Sequence, residues 1–568
     1  MGTGTIDSER IDDIPLLMHW MLEMQIDRII NAAIGTPHGN RQGLSYGRLA
    51  VVYLAYILSE CRHFLSSVQE WVAKHQQCLT QALGEPIRET DFTDDRLEDL
   101  LDAVGQADVG EQIETQLGQH LIRAYALPTD TARIDTTTVN VYHRPSEGSL
   151  LDYGVSKDHR PELRQFKEVL STLDPVGTPL CSAMVAGHCA DDPLYVPIWQ
   201  RMVEVIGRAD FLVVGDCKLA SLANRAQIHA GGGYYLAPLA MTGDAPEQLR
   251  RWVLEPPVAP VALELPGVEA RIGQGFEVVV AQIWTPSKSE AHVIWHERML
   301  VMSSDKLGRR QQQGLAARLQ RTEQALRKLP TNAKTELAQL TAQSQALLAR
   351  HDVGAYLTVT WTALTKHTKH YLKRGRHGPD SPCEMVETLT WQLQVTRNHD
   401  AIETFNRLAG WRLYVTNAPV ARLDLHGALT CYREEWQPER GFHRLKGAAL
   451  AIRPLLLRSD QRIAGLMRLL VIALRVLTLL EFVARRHLSQ QHEPLRGLYA
   501  GNPKRAAPNP TAERLLQAFA DITLYAVTDD HQTTYQVTPL SALQRRILGL
   551  LEIPETVYTA LAPLPLAS

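Results

Sequence analysis

Apolar residues recur every three or four positions through most of the first 126 residues. The spacing runs from Ile11 to Ala33, from Leu44 to Leu65 and from Phe92 to Tyr125, and it is that of one face of an α-helix. The pattern predicts an all-α N-terminal region. The polar stretch from His38 to Gly43 is typical of the turn in a helix-turn-helix, a motif that contacts DNA, although ordinary helix packing produces the same pattern.

The period changes at Thr131, where β-branched residues begin to alternate along the chain. Alternation predicts a β-strand with one buried face, and this strand carries Asp135 near its centre. Two more strands are predicted over 164–173 and 180–187, with a Pro-Val-Gly turn between them. A meander of three strands follows from this spacing.

A second acidic residue follows a short apolar strand. The pattern predicts a helix over 193–206 and then a continuous apolar strand over 210–216, which ends on Asp216. Continuous apolar strands are typical of sheets that are covered on both faces. Ligands collect at the carboxyl ends of the strands in open α/β sheets, so the position of Asp216 favours chemistry.

More than two hundred residues then separate Asp216 from Glu439. A loop of that length is not expected within a compact domain, so the stretch predicts an inserted domain. It is β-rich with one helical section, which spans 309–348 and is broken at Pro330. The predicted strands are 234–239, 271–284, 291–302, 356–362, 388–396 and, leading back towards Glu439, 411–417.

The segment 431–446, CYREEWQPERGFHRLK, has helical spacing as well. Its stripe of residues three and four apart consists of Tyr432, Glu435, Glu439, Phe442 and Lys446. A carboxylate and an ammonium two turns apart on one face suit the binding of a cation and a phosphate. A surface helix with i,i+4 charge pairs gives the same pattern.

Helical spacing continues to about Arg486 and includes the most apolar run of the chain, Gly465 to Phe482. Arg468, Arg475 and Glu481 interrupt this run, and charges at the centre of a bilayer are costly, so we predict a buried helix. The remaining pattern predicts a loose stretch over 493–510, a helix over 511–524 and a weakly patterned segment over 535–551.

Composition narrows the class of protein. The 568 residues are 45% hydrophobic and 21% charged, as in ordinary soluble globular proteins, and the net charge is -3. Binding to nucleic acid must therefore rest on local basic clusters. Seven scattered cysteines without a CxxC pair, and no N-terminal leader pattern, favour a reducing cytoplasm. There is no GxxxxGK[ST] loop, so nucleotide hydrolysis is not indicated.

Asp135, Asp216 and Glu439 are three carboxylates that a single mixed sheet with a following helix can bring together. Carboxylates are hard oxygen ligands suited to Mg²⁺. Two such ions about 4 Å apart can clamp the attacking and leaving oxygens of a phosphoryl transfer. Each acid taken alone is as typical of a surface or helix-capping residue, so the hypothesis depends on their order and placement.

The chain resembles the DDE transposases of bacterial insertion sequences in the order of these three acids. It also resembles them in having WRLYVTN, at 411–417, shortly before YREEWQPERGFHRLK. The resemblance is to the branch whose ribonuclease-H-like core is interrupted by a β-rich insertion. That branch carries Tyr, two residues, Arg, three residues, Glu, six residues, Lys. Tyr432, Glu439 and Lys446 fit, whereas Glu435 stands where arginine is expected. The stretches YGVSKDHRPELRQ and TDDRLEDLLDAV are also similar to sequences in these enzymes.

By this resemblance, Asp135, Asp216 and Glu439 bind two Mg²⁺ ions, with Mn²⁺ as a substitute. Water cuts the transposon strand, and the freed 3′ hydroxyl attacks target DNA. Tyr432 and Lys446 hold phosphates beside the scissile bond. The list of DNA contacts is completed by Arg433 and Arg440, one of which takes over from the missing arginine.

Local basic clusters supply further DNA contacts. The stretch Thr365 to Gly378 contains five lysines and arginines, of which Lys373, Arg374 and Arg376 flank Gly375 as a tip that suits a minor groove. A solvated loop is the alternative.

The helix over 305–328 has seven basic residues against two acidic ones, and it suits phosphate contact or simple exposure. In related enzymes an aromatic residue receives a flipped base; Trp284, Trp295, Trp361 and Trp391 qualify, and core packing is the alternative for each.

The fold class expected is α/β, a ribonuclease-H-like mixed sheet split by a large β-rich insertion, with an all-α N-terminal region and a helical C-terminal region. The expected regions are 1–126 for transposon-end binding, 127–240 and 406–490 for the two parts of the catalytic core, 241–405 for the insertion and 491–568 for a C-terminal region that is a candidate for dimerisation. The partners expected are double-stranded DNA, as terminal inverted repeats and target, and a second copy in a synaptic complex.

Because of Glu435, a decayed or domesticated transposase that only binds DNA remains an alternative, as does a structure-specific nuclease on the same core.

Overall fold

A computed structural model describes residues 5–35, 43–142, 149–265, 268–286, 291–331, 335–434, 436–529 and 532–562. Two sequence predictions fall outside these ranges. One is the role of Glu435, and the other is the polar turn of the helix-turn-helix, of which only Gly43 is described.

The described residues form a mixed α/β fold. The strands are β1 (Thr5–Arg10), β2 (Thr131–Val141), β3 (Arg164–Leu173), β4 (Thr178–Ala186), β5 (Leu212–Val214), β6 (Tyr234–Pro238), β7 (Val261–Leu265), β8 (Val268–Trp284), β9 (Val293–Ser303), β10 (Leu357–Tyr371), β11 (Cys383–Arg397), β12 (Trp411–Thr416), β13 (Thr523–Asp529) and β14 (Gln532–Val537). The α-helices are α1 (Ile14–Glu23), α2 (Ile26–Ile34), α3 (Tyr46–Glu60), α4 (Val68–Lys74), α5 (Gln76–Leu83), α6 (Asp94–Gly105), α7 (Ala107–Tyr125), α8 (Tyr195–Ile206), α9 (Leu222–Ala230), α10 (Ala245–Leu254), α11 (Asp305–Leu326), α12 (Leu337–Arg350), α13 (His399–Leu408), α14 (Leu425–Arg433), α15 (Trp436–Lys446), α16 (Asp460–Gln491), α17 (Ala512–Gln517), α18 (Ala542–Leu550) and α19 (Thr556–Thr559).

The chain divides into two compact units. Unit 1 comprises Met1–Ala237, Gln282–Trp295 and Cys431–Ser568, and unit 2 comprises Pro238–Ala281 and His296–Thr430. Asp135, Asp216 and Glu439 all belong to unit 1. The basic stretch that includes Lys373 belongs to unit 2.

In unit 1, five strands of one sheet lie in the order β4-β3-β2-β5-β6, and β1, β13 and β14 form a separate sheet. The first three form an antiparallel meander, β5 runs parallel to β2, and β6 runs parallel to β5. The predicted meander and the strand that carries Asp135 are confirmed. The alternation was informative there because β2 and β3 are long enough to show a period of two.

The core of unit 1 surrounds α16. This helix is apolar and long enough to cross a membrane, but 89% of its most apolar window is buried inside the protein, as the sequence analysis predicted. Gly465 lets α16 approach α6 closely, because a Cβ there would lie 2.1 Å from the carbonyl oxygen of Leu101. The fully buried Arg475 donates from its two terminal nitrogens to the carbonyl oxygens of Leu180 and Glu114, whereas its Nε has no partner among the described residues.

The predicted single helix over 431–446 is wrong, because the structure has two helices there. Tyr432 lies on α14, which ends at Arg433, whereas Glu439 and Lys446 lie on α15, which begins at Trp436. Pro438 gives the physical reason. A proline lacks the N–H that would bond the carbonyl of Glu434 in a continuous helix, and its ring clashes with that carbonyl, but it is tolerated in a first turn.

One further prediction near the chain end is wrong in its extent. The helix predicted over 511–524 ends at Gln517, and the chain continues as β13. The weakly patterned 535–551 segment contains the end of β14 and the whole of α18. β13 pairs with β14 and with β1, whose sequence TIDSER has little strand character. The pairing partner of β1 is more than five hundred residues away, so no local pattern reports it.

Unit 2 contains strands in the order β12-β9-β8-β7 and a separate two-stranded hairpin, β10-β11. The hairpin strands were predicted over 356–362 and 388–396, but they extend to Tyr371 and start at Cys383. Part of the basic stretch, up to Tyr371, is therefore strand. At the base of the hairpin a small core forms from Leu315, Leu319, Val353 and Leu357.

Candidate active site

Asp135, in the middle of β2, and Asp216, just beyond the end of β5, lie at matching positions in the unit 1 sheet. Residue Arg133 of β2 is aligned with Val214 of β5. Each aspartate lies two residues beyond its member of this pair, at equivalent positions along the two chains. Because neighbouring strands lie about 4.8 Å apart, this alignment places the two aspartates on adjacent chain segments at the same level of the sheet. The sheet therefore positions two of the three predicted carboxylates.

A buried tyrosine holds Asp216. The Tyr195 hydroxyl, in the first turn of α8, donates a hydrogen bond of 2.6 Å to Asp216 Oδ1, and the backbone N–H of Lys218 donates a second, of 2.8 Å. No described residue donates a hydrogen bond to Oδ2. Burial raises the pKa of Tyr195 well above its ordinary value, and the charges of Asp216 and Asp135 raise it further. This hydroxyl therefore stays protonated as a donor, and both aspartates lie within its electrostatic reach.

Asp135 lies beside a lysine from the loop before β3. Its Oδ1 accepts the backbone N–H of Thr136 at 2.7 Å and lies 3.7 Å from Lys157 Nζ. Lys157 is held there by hydrogen bonds to the carbonyl and hydroxyl oxygens of Thr136. The Asp135 side chain is 26% exposed, so it is accessible to a ligand while its orientation is fixed from one side.

Lys446, at the end of α15, reaches the same loop. Its ammonium lies 2.9 Å and 3.1 Å from the two oxygens of Asp158, which also accepts from Asn140 Nδ2 at 3.3 Å. Burial lowers the pKa of Lys446, and the ion pair with Asp158 opposes this shift. Arg453 lies 3.5 Å from the same carboxylate. Lys446 and Arg453 thus both lie beside Asp158. The positive charges of Arg453 and the nearby Lys157 also lower the pKa of Lys446.

A buried arginine on β2 pairs with an aspartate after β3 and binds the end of α14. Arg133 donates to Asp174 at 2.8 Å and to the carbonyl oxygen of Cys431 at 2.6 Å. Since Arg133 is two residues before Asp135, this contact fixes the chain around Tyr432 near the base of the strand. Arg433 is exposed beside it.

Glu439 lies in the first turn of α15, with an exposed side chain. The helix packs against β2, β3 and α16. Two residues further along, Gly441 faces Leu170, the residue paired with Asp135 across the sheet, and a Cβ on Gly441 would lie 3.6 Å from the Leu170 side chain. The fold therefore carries Glu439 on a helix that packs beside Asp135.

Oxygen donors of the kind that Mg²⁺ prefers are present at this edge, and Asp216 Oδ2 and the exposed Asp135 suit that ion. In the ranges that the structure describes, no three Asp, Glu, His or Cys side chains lie close enough to hold one metal ion together. The structure thus aligns Asp135 with Asp216 in the sheet and carries Glu439 on the helix that packs against β2. Metal binding by the three carboxylates stays a prediction.

The other predicted DNA contacts lie in different surroundings. Arg440 pairs with the buried Glu481, which also binds Arg444, so its guanidinium is part of a structural network. Lys373, Arg374 and Arg376 are exposed on the tip between β10 and β11 in unit 2.

Sequence reasoning missed three residues of this site. Lys157 and Asp158 lie in YGVSKDHRPELRQ, a stretch whose similarity to transposases was noted without assigning roles to its members. Tyr195 opens a helix that was predicted, but nothing in its local pattern distinguishes it from a core tyrosine. The contact with Asp216 depends on packing between distant residues.

No protein-family model matches this sequence, and no curated protein matches it. Among solved structures, the chain is similar to one described as a cryo-EM structure of the piggyBac transposase synaptic complex with hairpin DNA. The identity is 8% and the TM-score 0.33, with 98% of this chain and 86% of that chain covered. A similarity of this size leaves the functional assignment to the residues themselves.

Proposed function

We propose that this chain is a DDE transposase that cuts DNA at the ends of an insertion sequence and joins them to target DNA. The observation that carries the proposal is the alignment of Asp135, within β2, with Asp216, two residues beyond the end of β5. The order of the five strands, with three antiparallel strands followed by two parallel ones on the other side of β2, supports a ribonuclease-H-like core. The motif that contains Tyr432, Glu439 and Lys446 supports the same family.

Asp135, Asp216 and Glu439 would hold two Mg²⁺ ions, which supply Lewis-acid stabilisation of the oxygens in phosphoryl transfer. The protein's own contribution is orientation. Tyr195 keeps one oxygen of Asp216 hydrogen-bonded and leaves the other available. Such outer partners typically change metal affinity or activity by about 10- to 100-fold when removed.

Cations beside the aspartates suit a polyanionic substrate. Lys157 lies beside Asp135, and Lys446 lies on the neighbouring Asp158. In the first reaction a water oxygen attacks the phosphorus and the 3′ oxygen leaves as a hydroxyl. In the second reaction that hydroxyl attacks a target phosphodiester, so one phosphodiester bond forms as another breaks. A phosphate that enters would replace Asp158 as the partner of the Lys446 ammonium, which is a compact cation of the kind that binds phosphate.

The partners of the proposed activity are duplex DNA and a second copy of the chain. Tyr432, Arg433 and Lys446 are the proposed contacts near the scissile phosphate, with Arg433 in place of the missing arginine because Arg440 is bound to Glu481. Lys373, Arg374 and Arg376 are the proposed contacts from unit 2. Two ends must be held for joining, which calls for a homodimer in the synaptic complex. The proposed location is the nucleoid in a bacterial cytoplasm.

A DNA-binding protein without strand chemistry is the second candidate. One observation favours it: Glu435 occupies the position where the family has arginine. Both candidates predict binding to terminal repeats. They differ in whether divalent ions produce cutting and joining.

The test uses purified full-length protein, a labelled duplex that carries the element's terminal repeats, a second unlabelled duplex, and Mg²⁺. The transposase predicts a nick at the repeat boundary followed by joining to the second duplex, and it predicts that Asp216→Ala binds the ends without cutting them. Binding by the wild type with intact ends under both Mg²⁺ and Mn²⁺ would assign the chain to the DNA-binding alternative.

A further inference from the structure

The β10-β11 hairpin projects two long strands that are mostly exposed. Fifteen residue pairs connect Leu357–Tyr371 with Cys383–Arg397. From Thr362 to Tyr371, every residue of β10 is exposed. An isolated two-stranded hairpin is only marginally stable in water, so a ribbon of this kind is expected to have a partner.

One face of the hairpin is anchored at its base. The indole N–H of Trp361 donates to Ser344 Oγ of α12 at 3.0 Å, and the indole N–H of Trp391 donates to the carbonyl oxygen of Thr335 at 2.8 Å. Near the same end, Arg397 pairs with Glu323 of α11 at 2.7 Å. The base is therefore fixed within unit 2, and the two tryptophans identify which face is turned towards it.

The opposite face carries hydrogen-bonding side chains. Residues that lie directly opposite in an antiparallel pair point to the same side, and the register pairs Thr360 with Gln394, Thr362 with Gln392 and Lys366 with Thr388. These six residues are called the polar face, and the same side of the ribbon also holds Leu364, paired with Thr390, and Val386, paired with Thr368. Four of them, Thr360, Thr362, Gln392 and Gln394, belong to the half near the base, yet all four are exposed.

Charge favours a polyanion as the partner. Between Thr365 and Gly378 the chain has five lysines and arginines and no acidic residue. In the outer half of β11, Glu384 and Glu387 leave the hairpin with a positive excess. Glutamine, lysine and threonine are also side chains that recognise base edges, and a two-stranded β-ribbon fits a major groove about 12 Å wide.

We propose that the β10-β11 hairpin lies in the major groove of duplex DNA with its polar face towards the base edges, so that Lys366, Gln392 and Gln394 select sequence while the tip cations hold phosphates. At about 3.3 Å per residue, ten strand residues span roughly 33 Å, nearly one turn of DNA. This inference deepens the proposed function and rests on it only for the binding of duplex DNA.

The test is a binding selection without divalent ions, so that cutting plays no part. Wild-type protein is incubated with a pool of duplexes that contain a randomised segment, and the bound duplexes are sequenced. The polar-face variant is Lys366→Ala with Gln392→Ala and Gln394→Ala. Its matched control is Lys369→Ala with Thr365→Ala, which removes one charge from the opposite face.

The wild type is expected to enrich a defined sequence. The polar-face variant is expected to lose base preference over a few neighbouring base pairs, with a fall of about tenfold or more in discrimination against a scrambled duplex. Its affinity for the scrambled duplex should match that of the control, which has the same charge. The thermal unfolding temperature of both variants should equal that of the wild type, because the substituted side chains are exposed.

Two outcomes would overturn the proposal. One is an enriched sequence that is the same in the wild type and the polar-face variant. The other is that the opposite face, where Met385 and Leu389 are 53% and 44% exposed, binds a second copy of the chain. This would be shown if the double variant Met385→Ser with Leu389→Ser abolishes a dimer while the polar-face variant binds DNA normally. A chain that keeps the base preference but never cuts DNA would overturn the proposed enzyme and leave this inference standing.

Discussion

The strand ends of unit 1 and the hairpin of unit 2 are both rich in charged and polar residues, but they hold them differently. At the strand ends, Tyr195 fixes Asp216, Thr136 fixes Lys157, and Asp158 pairs with Lys446. On the hairpin tip, Lys373 and its neighbours are exposed. Both regions suit DNA, yet only the first restrains its side chains individually.

The difference follows from what each region would do. Phosphoryl transfer requires reacting atoms to be held within fractions of an ångström, and a misplacement of about 1 Å can cost a hundredfold in rate. Attraction to a phosphate backbone is less demanding, because it acts through charge and depends mainly on the number of cations. The comparison therefore predicts large, specific effects at the strand ends and graded effects on the hairpin.

The largest effect is expected at Asp135. Asp135→Asn should lower the rate of strand cutting by about a thousandfold or more, because loss of a metal-holding carboxylate removes several kcal/mol of transition-state stabilisation. Binding to the terminal repeats should be unchanged in a gel-shift assay. The matched control is Asp210→Asn, which lies just before the other end of β5. Equal losses in both variants would contradict the assignment.

A buried carboxyl in the interior of the same sheet predicts how the stability of the protein depends on pH. Glu168 on β3 is buried, and neither of its oxygens has a hydrogen-bond partner among the described residues. Burial, followed by the nearby charge of Glu114, raises the pKa of Glu168 to about 8. The folded protein thus keeps a proton that the unfolded chain releases, and stability should decrease as pH rises from about 4.5 towards 8.

Each unit of pKa difference corresponds to about 1.4 kcal/mol. Glu168→Gln should therefore increase the free energy of unfolding by about 4 kcal/mol at pH 8 relative to its effect at pH 4.5. Thermal unfolding at both pH values measures this, with the exposed Glu70→Gln as the control. A pH dependence that is identical in Glu168→Gln and in the wild type would show that this carboxyl is ionised in the folded state.

A smaller loss is expected when the partner of Asp216 is changed. Tyr195→Phe should reduce cutting by about 10- to 100-fold, since it removes one hydrogen bond and retains the buried ring. Raising the Mg²⁺ concentration should recover part of the activity if the hydroxyl orients a metal-holding carboxylate. A defect of the same size at every Mg²⁺ concentration would indicate a role in packing.

The smallest effect per residue is expected on the hairpin tip. Replacing Lys373, Arg374 and Arg376 by glutamine should reduce the slope of log affinity against log salt by about 2 to 3, close to 0.9 for each lost phosphate contact. Cutting at saturating protein should be unaffected. An unchanged slope would place these three cations outside the DNA interface.

The comparison also explains what the sequence could predict. The strands that carry Asp135 and Asp216 were predicted because alternation and apolar runs are local properties. The break before α15 was missed because the spacing of the stripe is helical throughout 431–446. Pro438 is compatible with a helix only when it lies in the first turn, so a new helix must begin shortly before it. The pairing of β1 with β13 and the contact of Tyr195 with Asp216 join distant residues, so no local pattern encodes them.

The length of the hairpin strands was also beyond what a local pattern could predict. Its outer residues mix threonine, histidine, lysine and hydrophobic residues without burial on either side, so they lack the apolar alternation that marks a half-buried strand. The basic tip was recognised by composition. The strands that present it were underestimated in length because their register is fixed by pairing along the whole hairpin.

The central claim, that Asp216 holds a divalent ion during strand chemistry, is tested most directly by a change of ligand. Asp216→Cys places a thiol where the carboxylate stood, and a thiolate is a poorer ligand for Mg²⁺ than for Mn²⁺. The account predicts that this variant binds terminal repeats, fails to cut them in Mg²⁺ and regains cutting in Mn²⁺, while Asp216→Ala regains none. Cutting by Asp216→Cys that is equally weak in both metals, or equally strong in both, would contradict the account.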